Sequence, residues 1–224
     1  MELLKQFGLN EEQISKFEKY LELLLEWNEK FNLTAITDRD EIEEKHFLDS
    51  ILLLEFFGIR NKSLLDVGSG AGFPGIPLAI AEPTLKVTLL EANGKKISFL
   101  QEVIKQLNLS NVEVIQGRSE ELKTREHYDV VTARAVKELK ILLEISFHLV
   151  KVGGHFIAYK GPNAKEELAN AKGALKELGA GGTILLEYDL PKSQNSRVFL
   201  RILKKSETPK KYPRRYGEIV NHPL

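Results

Sequence analysis

Apolar positions in this chain change period at residue 63. Upstream of it, Ile14, Phe17, Leu21, Leu24 and Leu25 recur every three or four residues, which is the spacing of an amphipathic helix. Asn10, with Gln13 three residues later, supplies an N-cap and a side chain to reach back to it. A helix is therefore predicted from about Glu11 to Asn28 or Lys30. The segment Trp27-Asn28-Glu29-Lys30-Phe31-Asn32-Leu33-Thr34 follows, with both rings expected in the core and Asn32 at a cap or turn. A second helix is expected from near Asp40 to Gly58, burying Ile42, Phe47, Leu48, Ile51, Leu52 and Leu54. His46 and Asp49 lie three apart on it and share a face, either as a local hydrogen-bonded pair or as part of a site.

From Ser63 onward short apolar runs alternate with helical patterns. Strands are expected at Leu64–Val67, Val87–Glu91, Val112–Ile115, Tyr128–Thr132 and His155–Tyr159. Helices are expected from the glycine turn to Ala81, through Lys96–Leu107, from Lys137 to about Val150 with a stop at Gly153-Gly154, and over Ala164–Leu178. Alternation at this spacing argues for a parallel sheet covered by helices on both faces. Thr183–Tyr188 and Arg197–Leu203 come without an intervening helix and should pair as an antiparallel hairpin at the sheet edge. Seven strands ending in such a hairpin are the plan of an α/β class I S-adenosylmethionine-dependent methyltransferase, a Rossmann-like sheet. The division expected is an N-terminal helical extension over 1–60, the sheet domain over 61–205 and a basic tail over 206–224.

The stretch Ser63–Ala79, SLLDVGSGAGFPGIPLA, carries the densest chemistry. An apolar strand reaches Asp66, and Gly68, Gly70 and Gly72 then allow a tight turn and a close backbone approach to a ligand. A dinucleotide fold would place a third glycine where this chain has Phe73. Asp66 ahead of the turn, together with that altered spacing, favours the sulfonium and amino group of S-adenosylmethionine over a pyrophosphate. Glu91, closing the second strand, is placed to accept hydrogen bonds from ribose hydroxyls. Arg134 ends the fourth strand at the mouth of this site. It is a candidate for cofactor or base positioning, or else for an ion pair with Glu120 or Asp129. Lys160, at the end of the fifth strand, is a weaker candidate of the same kind.

Composition narrows the chemistry. The chain is 42% hydrophobic and 29% charged, with no cysteine. Disulfides, thiolate metal sites and cysteine nucleophiles are excluded, and no metal-ligand set is evident. No apolar run reaches membrane-spanning length, and the N-terminus lacks a signal-peptide layout, so a cytoplasmic protein is expected. A net charge of zero hides an asymmetry: residues 1–50 hold six Lys or Arg against thirteen Asp or Glu, whereas 201–217 are strongly basic. Lys210, Lys211, Arg214 and Arg215 are candidate RNA contacts, or else a solvated tail.

Several of these segments together resemble one family. They are Trp27-Asn28 with Phe31-Asn32-Leu33-Thr34, His46 with Asp49-Ser50, the run Asp66–Leu78, Gly117-Arg118-Ser119-Glu120-Glu121, Ala133-Arg134-Ala135-Val136, Lys160-Gly161 and Tyr212-Pro213-Arg214-Arg215-Tyr216-Gly217. Over nearly its whole length the chain resembles the bacterial 16S ribosomal RNA guanine-N7 methyltransferases, the glucose-inhibited division protein B or methyltransferase G family. The resemblance implies S-adenosylmethionine against Gly68, Phe73, Glu91, Ser119, Glu120 and Arg134. Ser119 stands where that family more often has Ala, and Tyr216 occupies a variable place. The implied acceptor is a guanine in the 530 loop of 16S rRNA, at position 527, and the implied partner is the small ribosomal subunit, with the enzyme a monomer.

The residues agree with that chemistry. Guanine N7 already offers a free lone pair, so no general base is required and none is evident. Pyrimidine C5 methylation needs a cysteine. Adenine amino methylation typically uses Asn or Asp followed by two prolines after the fourth strand, where this chain has Thr132-Ala133-Arg134-Ala135. N7 faces the groove of A-form RNA that side chains cannot read, so a loop or opened helix is the expected target. Two alternatives stand beside this reading: a methyltransferase acting on a different RNA, a small molecule or a protein, and a non-catalytic nucleotide-binding module.

Overall fold

Alternating apolar runs assemble into one seven-stranded sheet in the computed structural model, which describes residues 1–224. The strands are β1 (Ser63–Val67), β2 (Lys86–Glu91), β3 (Val112–Gln116), β4 (Tyr128–Arg134), β5 (Val150–Lys160), β6 (Ala180–Asp189) and β7 (Ser196–Lys204). They lie in the order β3-β2-β1-β4-β5-β7-β6, the first five parallel and β7 antiparallel to both its neighbours. The order reverses between β1 and β4, which opens a crevice at the C-terminal ends of the strands, where ligands collect in such sheets.

Successive residues of each strand feed opposite faces. Leu64, Leu89, Val130 and Ile157 face one core with α1 (Glu2–Gln6), α2 (Glu11–Phe31), α3 (Arg39–Ile42), α4 (Asp49–Phe57), α5 (Gly75–Ala81) and α6 (Gly94–Gln106). Leu65, Leu90, Val131 and Phe156 face the other, under α7 (Leu139–Ser146), α8 (Ala164–Asn170), α9 (Lys172–Glu177) and α10 (Tyr216–Asn221). The N-terminal helices bury Leu4, Phe17, Tyr20 and Phe47 in the same cluster as the sheet. Gln13 fixes them further: its side chain completes the N-terminal cap of α2 with Asn10 and donates to the carbonyls of Ile80 and Ala81 at the end of α5.

Three expectations need correction. The helix expected to reach Val150 stops at Ser146, and after a 3₁₀ turn β5 already begins at Val150. Gly153 and Gly154 lie inside this strand, where the β4–β5 register shifts. Gly153 takes φ +84°, and a Cβ on Gly154 would stand 2.7 Å from the Asp129 carbonyl, so the pair marks a bulge and a close backbone contact rather than a helix stop. The helix over Ala164–Leu178 is two helices meeting at the fully buried Ala171. The helix ending at Gly58 contains a π-helical stretch, Glu43–Leu48. This wider turn shifts the phase, so Leu53 is buried while Leu52 and Leu54 are only partly so.

The basic tail folds back on the second core. Tyr212 and Ile219 are buried there, and Arg125 donates to the carbonyls of Thr208 and Tyr212, both at 2.8 Å. Lys204, fully buried, donates to the Phe147 carbonyl at 3.0 Å and to Thr208 Oγ1, and burial pulls its ammonium down to about 8. Arg214 grips the buried Glu144 in a fork, with Nε and Nη2 each 2.6 Å from a carboxylate oxygen. Removing one partner of such a pair strands the other in a dry site. Arg214→Ala is accordingly expected to lower unfolding free energy by about 3 kcal/mol, with Glu144→Leu in the same chain restoring most of the loss. Urea denaturation of both variants checks this, and equal stabilities for wild type and Arg214→Ala would contradict it.

Candidate functional site

Where β1 ends, the chain turns on three glycines whose φ angles are 69° at Gly68, 60° at Gly70 and 98° at Gly72. At Gly72 space as well as backbone excludes a side chain, since a Cβ would lie 2.7 Å from the Tyr20 hydroxyl. The turn is held from all sides. Gly68 and Ser69 N–H donate to the Leu90 carbonyl, at 2.8 and 3.1 Å. Gly70 N–H donates to Glu91 Oε2 at 2.9 Å, and Glu91 Oε1 accepts from Asn93 N–H at 2.9 Å. Gly75 N–H donates to Asp66 Oδ2 at 3.0 Å, and a Cβ on Gly75 would stand 2.3 Å from Leu89. From the far side, the Tyr20 hydroxyl of α2 donates to the Ala71 carbonyl.

Asp66 is fully buried, and its Oδ1 has no hydrogen-bond partner. Burial raises its carboxyl to about 7, against the lowering effect of the Gly75 N–H and of Arg134. A cleft of about 170 Å³ opens beside the turn, between Gly68, the end of β2 at Glu91, the segment Gly117–Glu120 after β3, and Val136 with Tyr216. Ser119 is buried there, 3.4 Å from its neighbour's carboxylate, and Glu120 Oε1 is a second buried acceptor without a hydrogen bond. Three carboxylates, Asp66, Glu91 and Glu120, thus surround a glycine turn. That field repels a pyrophosphate, while two buried oxygens without hydrogen bonds, the Glu120 one 3.9 Å from the Arg118 guanidinium, suit the amines of an aminoacyl nucleoside. S-adenosylmethionine fits this donor and acceptor set.

A second cluster meets the turn at Phe73. His46 stacks on the Phe73 ring, with centroids 4.5 Å apart, and the Arg134 guanidinium lies over the ring at 4.9 Å. Arg134 Nη1 reaches Asp49 Oδ2 at 3.3 Å, the Lys45 carbonyl at 3.3 Å and Ser50 Oγ at 3.5 Å, while Nη2 stands 3.3 Å from His46 Nδ1. His46 Nε2 is 2.8 Å from Thr34 Oγ1, whose backbone N–H is in turn held by Asn28. Burial first, then the Arg134 charge, pulls the imidazole down to about 3, so it is neutral and serves as acceptor for the guanidinium. Asp49 also accepts from the Tyr188 hydroxyl at 2.8 Å, with Arg197 at 3.8 Å.

Arg134 therefore pairs with Asp49, not with Glu120 or Asp129; Asp129 lies at the opposite end of β4, bonded to Ser63 and Lys151. His46 and Asp49 share Arg134 instead of bonding each other. The structure brings together Asp66, Gly68, Gly70, Gly72, Phe73, Glu91 and Arg134 around the turn, with Ser119 and Glu120 across the cleft. Lys160 stands apart, its ammonium 2.7 Å from Glu167 and 2.8 Å from the Lys137 carbonyl. In the tail Arg214 is partly buried against Glu144, Lys211 is exposed 3.5 Å from Glu177, and Lys210 and Arg215 are exposed. Tyr20, Tyr188 and Tyr216 were not foreseen as site residues. Tyr20 carries an ordinary helical core pattern, so only the packing of α2 on the turn reveals it.

A profile of the family described as rRNA small subunit methyltransferase G (GidB) matches residues 13–185. The protein named ribosomal RNA small subunit methyltransferase G from Acetivibrio thermocellus is 48% identical, over 97% of this chain and 92% of its own length. Its namesake from Bacillus cytotoxicus is 47% identical, over 97% and 93%. Among solved structures, an S-adenosylmethionine-dependent methyltransferase from Aquifex aeolicus aligns with TM-score 0.55 at 20% identity, covering 74% of this chain and 94% of that one. The M. jannaschii protein TYW2, solved with AdoMet, aligns with TM-score 0.57 at 20% identity, covering 70% and 76%. These two share the fold.

Tyr20→Phe deletes only the hydroxyl that holds the Ala71 carbonyl. It is expected to cost about 1 kcal/mol of stability and to speed hydrogen exchange at the Gly72 and Phe73 amides. Denaturation and exchange mass spectrometry read the two effects, and a variant matching wild type in both would remove α2 from the bracing of the turn.

Proposed function

The chain belongs to the rRNA small subunit methyltransferase G family, and we propose that it methylates N7 of a guanine in the 530 loop of 16S rRNA, at position 527. It is an S-adenosylmethionine-dependent rRNA methyltransferase. The single observation that supports this cofactor is the turn itself: three carboxylates, two of them with a buried oxygen that lacks a hydrogen bond, around glycines that admit a ligand to the backbone. Asp66 and the turn would hold the amino-acid end, Glu91 the ribose, and Ser119 and Glu120 the adenine. When bound, S-adenosylmethionine supplies an electrophilic methyl group on sulfonium.

The chain's own task is then placement. Guanine N7 carries its lone pair in the ring plane, and no proton leaves it on methylation, so this acceptor asks no general base of the site. Phe73, buried between His46 and Arg134, is a rigid support at the end of the glycine turn. Arg134, held by Asp49 and the neutral His46, presents a fixed cation beside it. Arg118 and Lys137 at the cleft, with the exposed tail residues Lys210 and Arg215, are the cations we assign to rRNA phosphates. Arg214 acts beneath them by holding the tail in place. The assembly we infer is a monomer on the small subunit in the cytoplasm; no helix is long and apolar enough to cross a membrane.

Radiolabelled S-adenosylmethionine with small subunits lacking the modification tests the assignment. Label mapping to N7 of one guanine in the 530 loop is expected, and label on any other base, or none despite cofactor binding, would overturn it. Arg134→Ala should lower kcat by about 100-fold while leaving a cooperative unfolding transition, and full activity would exclude it from positioning.

Cofactor affinity should depend on pH through Asp66. Its carboxyl, raised to about 7 in the free protein, must ionise to meet a cationic ligand, so binding is expected to strengthen as pH rises through 7 and to release a proton. Calorimetry in buffers of different ionisation enthalpy reads that proton. Asp66→Asn should abolish the pH dependence, and a wild-type affinity flat from pH 6 to 8 would refute the coupling.

A further inference from the structure

At the end of the sheet opposite the cofactor cleft, a second cleft of about 310 Å³ opens between the starts of β1, β4 and β5 and the later half of β7. Its polar wall is cationic. Lys62 precedes β1, Lys151 and His155 come from β5, and Arg201 comes from β7. One carboxylate, Asp129, shares the cleft, and both its oxygens are already engaged. Oδ2 accepts from the Ser63 N–H at 2.9 Å and the Ser63 hydroxyl at 2.7 Å, and Oδ1 takes the Lys151 ammonium at 3.1 Å. Lys62 has no carboxylate within ion-pair distance. Arg201 is paired only with an imidazole, its Nη2 2.8 Å from His155 Nε2.

That imidazole is neutral: burial, then the charges of Arg201 and Lys62, hold it below its ordinary range. The guanidinium is therefore positioned by His155 without being neutralised, and the cleft keeps an excess of two positive charges. Beside the cations lies an apolar wall. Phe57 carries the Arg201 guanidinium over its ring at 5.3 Å, and Val152 is half exposed next to it. The bulge at Gly153-Gly154 keeps this wall low, since neither glycine adds a side chain.

We propose that this cleft is a phosphate-binding site, taking a phosphate group of a nucleotide through Lys62, Lys151 and Arg201 while the attached sugar or base lies on Phe57 and Val152. Arg201, held by His155 and free of a carboxylate, with Lys62 unpaired beside it and Lys151 shared with Asp129, can give charge-assisted bonds to phosphate oxygens, and the volume is that of a small-ligand pocket. The ligand is one chemistry from two sources: the backbone of the RNA substrate, or a free phosphate or mononucleotide. This site is independent of the methyl-transfer assignment, because none of its residues touches the glycine turn.

Inorganic phosphate titrated at constant ionic strength, with the His155 imidazole protons followed by NMR and assigned through His155→Gln, tests the proposal. A saturable shift is expected, with half-saturation about tenfold higher in Lys62→Gln. Lys62 is exposed, so that variant should keep the wild-type melting temperature. A shift that does not saturate, or that saturates identically in wild type and Lys62→Gln, would overturn the site. The source follows from the salt dependence of small-subunit RNA binding. A slope reduced by about one in Lys62→Gln assigns the RNA backbone. An unchanged slope, with phosphate saturation retained in wild type, assigns the free phosphate.

Discussion

Asp66 holds the first turn of α5 through the Gly75 N–H, inside the protein, where neither group can exchange its partner for water. That bond sets the path of the chain from β1 to α5, and everything around the cofactor cleft is built on that path. Gly75 must lack a side chain because Leu89 and Asp66 close on it, and Gly72 must lack one because Tyr20 and Ile76 do. The carboxylate of Glu91 then reaches the Gly70 N–H from the neighbouring strand. A loop fixed at so many points presents its backbone in one conformation, which removes the ordering cost that a flexible loop would add to binding.

The N-terminal helices hold most of the acidic excess counted over residues 1–50. In the structure they are part of the site. Tyr20 braces the turn, Thr34 and Asn28 orient His46, and His46 with Asp49 fixes Arg134 against Phe73. Their acidity serves local ends: Glu43 accepts from the Leu4 N–H, and Glu44 accepts from the N–H groups of Lys192 and Ser193 in the β6–β7 loop. The π-helical stretch brings Glu43, Glu44 and His46 to these partners, and such wide turns often occur at working sites.

Period and glycine placement made the sheet, its terminal hairpin and the cofactor turn legible, because the forces that set them act over a few residues. Asp66, Phe73 and Glu91 belong to that class. The start of β5 was misread because Gly153-Gly154 signals a helix stop and a bulge equally well, and only the pairing with β4 decides. The partner of Arg134 was not readable at all, since Asp49 lies 85 residues away. In the basic tail, charge counting does not separate a cation facing solvent from Arg214 or Lys204, whose acceptors Glu144 and the Phe147 carbonyl lie 70 and 57 residues away.

Asp49 ties these distances together. It joins Arg134 at the end of β4 to Tyr188 on the edge strand β6, a contact across 139 residues. Contacts of that separation are entropically expensive to close and reward the chain only once closed. The sheet between them rests largely on nearer pairings, so sequence separation alone would put the final orientation of Arg134 after those pairings. Competence to act would then lag behind compactness: a chain with its strands already paired would bind cofactor before it could position a base.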